Sequence, residues 1–125
     1  MKKTMKLLSL TLILLTSLFT QVFAQTDADA ILGRWTNEDN TRVIEFVKTG
    51  NGYNAVIKEA PDKSVIGKNQ LTGVVFSNGN YNGNVHLPKK GKSYPCTIKI
   101  KSDGTMELTA KAGFMSKTQS WVRVQ

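Results

Sequence analysis

Gly33-Arg34-Trp35 and Thr118-Gln119-Ser120-Trp121-Val122-Arg123-Val124 lie near the two ends of the foldable part of this chain, and the pattern between them decides the fold. Gly50-Asn51-Gly52, Asn78-Gly79, Pro88-Lys89-Lys90-Gly91 and Ser102-Asp103-Gly104 divide that interval at short spacing. Each supplies residues that tolerate the positive φ values of tight hairpins. Between the turns, apolar residues alternate with polar ones: Ile44/Phe46, Tyr53/Ala55/Ile57, Leu71/Gly73/Val75, Tyr81/Gly83/Val85/Leu87, Tyr94/Cys96/Ile98/Ile100 and Met106/Leu108/Ala110. A period of two means strands with one buried and one wetted face. With the tryptophan segments as first and last, the chain reads as about eight short strands joined in succession.

An open meander of that kind leaves two unpaired edges, which closure removes. The expected fold is therefore all-β: a small, closed or partly gapped, antiparallel up-and-down barrel. A two-sheet sandwich of the same strands is the competing arrangement. Pro95 falls inside a strand, where it removes a ladder hydrogen bond and marks the place for a gap or bulge. Asn82-Gly83 competes with Asn78-Gly79 as a turn. The stretch 61–69 lacks alternation and reads as a loop at the barrel mouth, with or without a short turn of helix, placed to act as a lid.

Met1 to Lys6 is a basic segment, Leu7 to Phe23 an apolar run, and Val22-Phe23-Ala24 a small-x-small cleavage pattern. These mark residues 1–24 as a cleaved signal peptide and residues 25–125 as a single domain. A retained transmembrane anchor is the rival reading. Thr11, Thr16, Ser17, Thr20 and Gln21 dilute the run, and no basic stop-transfer cluster follows it. The expected location is periplasmic or secreted, with no membrane anchor after cleavage. Thr26 to Leu32 suits a short helical turn before the first strand. Three of the 17 basic residues belong to the leader, so the rest balances 14 basic against 9 acidic residues, a net charge of +5. The excess is dense at Lys89, Lys90, Lys92, Lys99 and Lys101. Such a hairpin is either a solvated, soluble surface or a face for an anionic lipid, glycan or protein of the envelope, with Lys89, Lys90 and Lys92 foremost. Export argues against nucleic acid as the partner.

Gly33-Arg34-Trp35 entering a first strand, with Arg123 on the last, resembles the closure signature of the lipocalins and their calycin relatives. The resemblance implies that Gly33, Trp35 and Arg123 form a barrel clasp, with the basic side chain across the indole. Such a stack gains about 0.5–2 kcal/mol. Adding Pro88-Lys89-Lys90-Gly91-Lys92-Ser93-Tyr94 and the final motif, the whole chain after the leader is similar to the exported bacterial family called domain of unknown function twenty-one forty-seven. Two departures stand out: Leu87 where the family usually has Asp, and Ala112 near an expected glycine. The family has no agreed function, so the resemblance implies a fold and not a reaction.

The sequence offers no catalytic constellation. The single histidine, His86, and single cysteine, Cys96, fall on opposite faces of neighbouring strands. Cys96, among apolar positions, reads as buried packing. Asp27, Asp29, Glu38 and Asp39 fit helix-start and turn roles, Glu45 and Glu107 face outward, and no glycine-rich phosphate loop precedes a helix. No metal or other cofactor is expected, because one His and one Cys leave a transition metal short of ligands. What remains is the interior. Phe46, Tyr53, Val75, Tyr81, Tyr94, Ile98, Leu108 and Trp121 are its expected lining, and a barrel this size either packs these side chains solid or holds one small ligand. Two functions follow: a non-enzymatic binder of a small hydrophobic or amphipathic molecule, or a solid module that presents its basic hairpin to an envelope partner.

Overall fold

The computed structural model describes residues 27–125, so the expected leader and its cleavage point lie outside the described residues. The described residues fall into two units that part after Ala30. In the first, Ala30 N–H donates to Asp27 O at 3.3 Å, within the short 3-10 turn Ala28–Ile31. The second carries eight strands: β1 (Gly33–Asn37), β2 (Val43–Thr49), β3 (Gly52–Glu59), β4 (Asn69–Ser77), β5 (Asn80–Leu87), β6 (Lys92–Ile100), β7 (Met106–Ala112) and β8 (Met115–Arg123). Each pairs antiparallel with the next, and β1 closes on β8 through Trp35↔Arg123 and Asn37↔Trp121. The arrangement is a closed barrel rather than a sandwich, since every strand has a hydrogen-bonded neighbour on both sides over part of its length.

Up-and-down topology gives the barrel two ends. One gathers the start of β1, the end of β8 and the hairpins β2–β3, β4–β5 and β6–β7. The other gathers the β1–β2 turn, the β3–β4 connection and the hairpins β5–β6 and β7–β8. Large side chains fill the first end: Trp35, Phe46, Tyr53, Tyr81, Ile98 and Met106 are all buried. Tyr81 meets Tyr53 edge-on at 6.1 Å between ring centroids and packs at 4.9 Å against Phe76. Each such buried side chain is worth about 1.5–3 kcal/mol. This end is solid core.

The alternation fails in β4. The expected inward set Leu71/Gly73/Val75 becomes Leu71 and Val74, while Val75 is 48% exposed. Gly73 lies at φ +61°, and the β4–β5 register slips between Thr72 and Val75. A glycine in the left-handed region inserts a bulge, and everything after it changes face. The partner strand accommodates the bulge through Gly83. A Cβ there would sit 2.8 Å from Val74 Cγ2 and 3.1 Å from Thr72 O. Asn82-Gly83 is therefore no turn: it lies inside β5, and the hairpin is made by Asn78 (φ 54°) and Gly79 (φ 84°).

The loop at 61–69 contains a 3-10 turn, Lys63–Val65, capped by Asp62, whose carboxylate accepts from Ser64 N–H at 2.9 Å and Ser64 Oγ at 2.7 Å. Val65 is buried in the core. Gly67 N–H donates to Ile57 O, Ile57 N–H to Lys68 O, and Lys89 Nζ lies 2.6 Å from Asp62. These ties make the segment a fastened strap instead of a free lid.

Candidate functional site: the open end of the barrel

At Pro95 the wall gives way. The β5–β6 ladder continues past it to Leu87↔Lys92, whereas β6–β7 pairing stops at Cys96↔Ala110. Proline has no N–H to offer, and the start of β6 separates from the end of β7. The consequence appears in β8. Met115, Lys117 and Gln119 share the inward parity of buried Trp121, yet all three are exposed. Inward-facing side chains that meet solvent mean that this end of the barrel is hollow.

Two adjoining chambers occupy it, with Val85, Leu87, Leu108 and Gln119 as common walls. The first, about 380 Å³, is completed by Tyr94, Ala110, Ala112 and Met115, with Ser116 and Lys117 at its edge. It is an apolar chamber, because β5 and β7 place short or aliphatic side chains where the opposite end carries rings. The second, about 300 Å³, is the more polar of the two, hereafter the polar chamber: Asn37, Thr41, Arg42 and Gln70 line it beside Pro61 and Trp121. Asn37 Oδ1 accepts from the N–H groups of Thr41 (2.9 Å) and Arg42 (3.0 Å), which shapes the β1–β2 turn. Gln70 is 5% exposed and donates through Nε2 to His86 O at 2.7 Å, while its Oε1 accepts from Arg42 Nη1 at 2.6 Å. The indole N–H of Trp121 is buried without a hydrogen-bond partner among the described residues. A buried, unsatisfied donor costs about 1–3 kcal/mol.

The expected lining therefore divides. Tyr94, Leu108 and Trp121 line the chambers. Phe46, Tyr53, Tyr81 and Ile98 are packed into the solid end, and Val75 faces outward across the bulge. Leu87 and Ala112, the positions that the sequence resemblance marks as departures, both line the apolar chamber. Val85, Leu87 and Ala110 stood in the alternation, but ring-bearing positions drew attention away from them. Arg42 and Gln70 carried no periodic signal. Arg42 precedes β2, where a register shift between Val43 and Ile44 buries both neighbours, and Gln70 has the parity opposite to Leu71.

At the other end, Arg123 stacks over Trp35 with Cζ 4.2 Å from the ring centroid and donates from Nη1 to Leu32 O at 2.5 Å. Trp35 Nε1 donates to Ile31 O at 2.9 Å. Gly33, at φ +109°, leaves room for the guanidinium: a Cβ there would lie 3.1 Å from Arg123 Nη1.

The remaining reactive groups lie apart from the chambers' open space. His86 Nε2 bonds Thr72 Oγ1 at 2.6 Å on the outer face. Cys96 is a buried free thiol, and desolvation pushes it up to about 11, far from a thiolate at neutral pH. Arg34 holds the Glu45 carboxyl below its ordinary range through a 2.7 Å bond on the barrel exterior. Lys89, then Ser64, holds Asp62 well below the carboxylate range. Of the expected partner hairpin, Lys89 is thus paired with Asp62, whereas Lys90 and Lys92 are exposed on the rim of the open end. Phe114, at the tip of the β7–β8 hairpin, is also fully exposed there.

Residues 33–123, from the first strand to the stacked arginine, match the family described as "Uncharacterized protein conserved in bacteria (DUF2147)". The chain belongs to this family. The DUF2147 barrel is also similar to a solved structure, protein HP1028 from Helicobacter pylori, whose title places it in the lipocalin family. The TM-score is 0.60 at 18% identity, over 76% of this chain and 83% of that one. At that identity the likeness concerns the fold. No curated protein matches the sequence. The DUF2147 protein is therefore a lipocalin-like, closed eight-stranded antiparallel barrel.

Proposed function

We propose that this DUF2147 protein is exported and binds a small amphipathic molecule in the cell envelope, non-enzymatically, within the open end of its barrel. The observation that carries the reading is the exposed inward face of β8 over an apolar chamber of about 380 Å³, opposite a solid end. A volume of that order suits a small guest, and a few placed polar groups beside apolar walls orient one. Binding is passive: apolar burial contributes about 25 cal/mol per Å², offset by immobilisation of the guest. The solid-module alternative loses its premise at this end, because the interior is not filled there. The rim lysines Lys90 and Lys92 fit the same role, drawing the barrel toward anionic envelope components.

The test is native mass spectrometry and solvent extraction of the protein purified from its own envelope. A bound amphiphile is the expected result. Ala110→Trp, which fills the apolar chamber, removes it while leaving the melting temperature within a few degrees of wild type. Wild-type protein that repeatedly emerges empty, and takes up no alkyl probe, overturns the reading.

A further inference from the structure

We infer that the polar chamber reads an acidic head group, with Arg42 as its receptor and the apolar chamber holding the attached chain. The inference rests on the ligand-binding reading above and adds the guest's charge. The sequence contains three arginines, Arg34, Arg42 and Arg123, and two have evident structural work. Arg34 pairs with Glu45, and Arg123 stacks on Trp35 and bonds Leu32 O. Arg42 differs. Half-buried on the chamber wall, its guanidinium meets a neutral amide, Gln70 Oε1, and no carboxylate among the described residues.

The amide is set for this purpose. Its Nε2 is committed to His86 O, so its oxygen faces Arg42 and fixes one arm of the fork. A guanidinium carries five N–H donors in one plane and stays charged at any working pH. An amide oxygen engages part of that capacity and leaves the charge uncompensated. A half-buried cation of this kind gains most from a carboxylate, which it binds through two parallel hydrogen bonds in a setting drier than bulk water. The rest of the site agrees. None of the residues lining either chamber is acidic, Lys117 adds a second cation among those of the apolar chamber, and Trp121, whose buried N–H has no partner among the described residues, lines the polar one. The two chambers share walls, so one molecule with an acidic end and an alkyl end spans both. The chemical class is a medium-chain alkyl acid.

The experiment compares octanoate with octanol, followed by calorimetry and by the two tryptophan indole N–H resonances of the full-length mature protein. Octanoate is expected to bind at least tenfold more tightly than octanol and to shift the Trp121 resonance, leaving that of Trp35, which is bonded to Ile31 O, in place. Arg42→Met brings octanoate down to the affinity of octanol, with octanol itself changed less than twofold and the circular dichroism spectrum retained. Gln70→Glu, which gives Arg42 a carboxylate of its own, also erases the preference and serves if Arg42→Met does not fold. Equal binding of the two probes to wild type overturns the inference and leaves the ligand-binding reading standing. So does a preference that survives Arg42→Met and disappears in Lys117→Met. Binding of neither probe overturns both.

Discussion

The two ends of this barrel are built from the same strands and behave oppositely. At the Trp35 end, rings from β1, β2, β3 and β5 share one buried cluster, and Arg123 covers Trp35 from β8. At the other end the same alternation delivers Val85, Leu87, Ala110 and Ala112, and the space between them stays open. Strand pairing is indifferent to side-chain volume, so a barrel closes whether or not its axis is filled. The residues at each inward position decide whether that stretch is core or pocket. Stability and binding are thereby separated along one axis: the solid end holds the chain together, and the open end has volume to offer a guest.

Substitutions sort by this division. Trp35→Ala, at the centre of the solid end, is expected to cost about 3–5 kcal/mol, because it removes a fully buried indole and leaves a cavity. Chemical denaturation reads it directly, and a loss below 1 kcal/mol would erase the distinction between the ends. Arg123→Ala should cost about 1–3 kcal/mol, from the lost stack and the freed Leu32 carbonyl. An unchanged melting temperature refutes the clasp. Leu87→Ala sits at the opposite extreme: half-exposed on the chamber wall, it should change stability by less than about 1 kcal/mol while weakening capture of an alkyl probe several-fold. A destabilisation comparable to that of Trp35→Ala would mean that the open end is core as well.

Much of the architecture was legible. Turn residues at short intervals and period-two alternation specify strands that pair with their neighbours, because these are local signals that require no knowledge of distant parts; closure through Trp35 and Arg123 was implied by the resemblance of the end motifs to the lipocalin signature. Pro95 announced where the wall would part. Within the fold, the departures from expectation gather in β4 and its surroundings. Gly73 looked like an ordinary inward position; it is a left-handed bulge that turns Val75 outward and brings Val74 in. Gly83 stood in the strand alternation while Asn82-Gly83 competed as a turn; it lies in β5 and is the space that receives the bulge. Val65 looked like part of a free loop and is buried. Each depends on what a neighbouring strand does, which a single stretch of sequence does not encode.

The candidate site was legible only in part. Alternation places Tyr94, Leu108 and Trp121 on the inner face, but a large ring in a narrow barrel fills the volume it is expected to enclose, as Phe46, Tyr53 and Tyr81 do. Arg42 and Gln70 come together from residues 28 positions apart at an irregular start of β2, and their contact has no trace in periodicity.

By itself, the sequence determined antiparallel strands and their order, because hairpin turns and side-chain parity act over a few residues, and the resemblance of its end motifs implied closure and the clasp at one end. Only the tertiary structure decided which end is solid and which is hollow. That outcome depends on the summed volume of side chains arriving from all eight strands at each level of the axis, and on the bulge in β4 that resets which of them point inward.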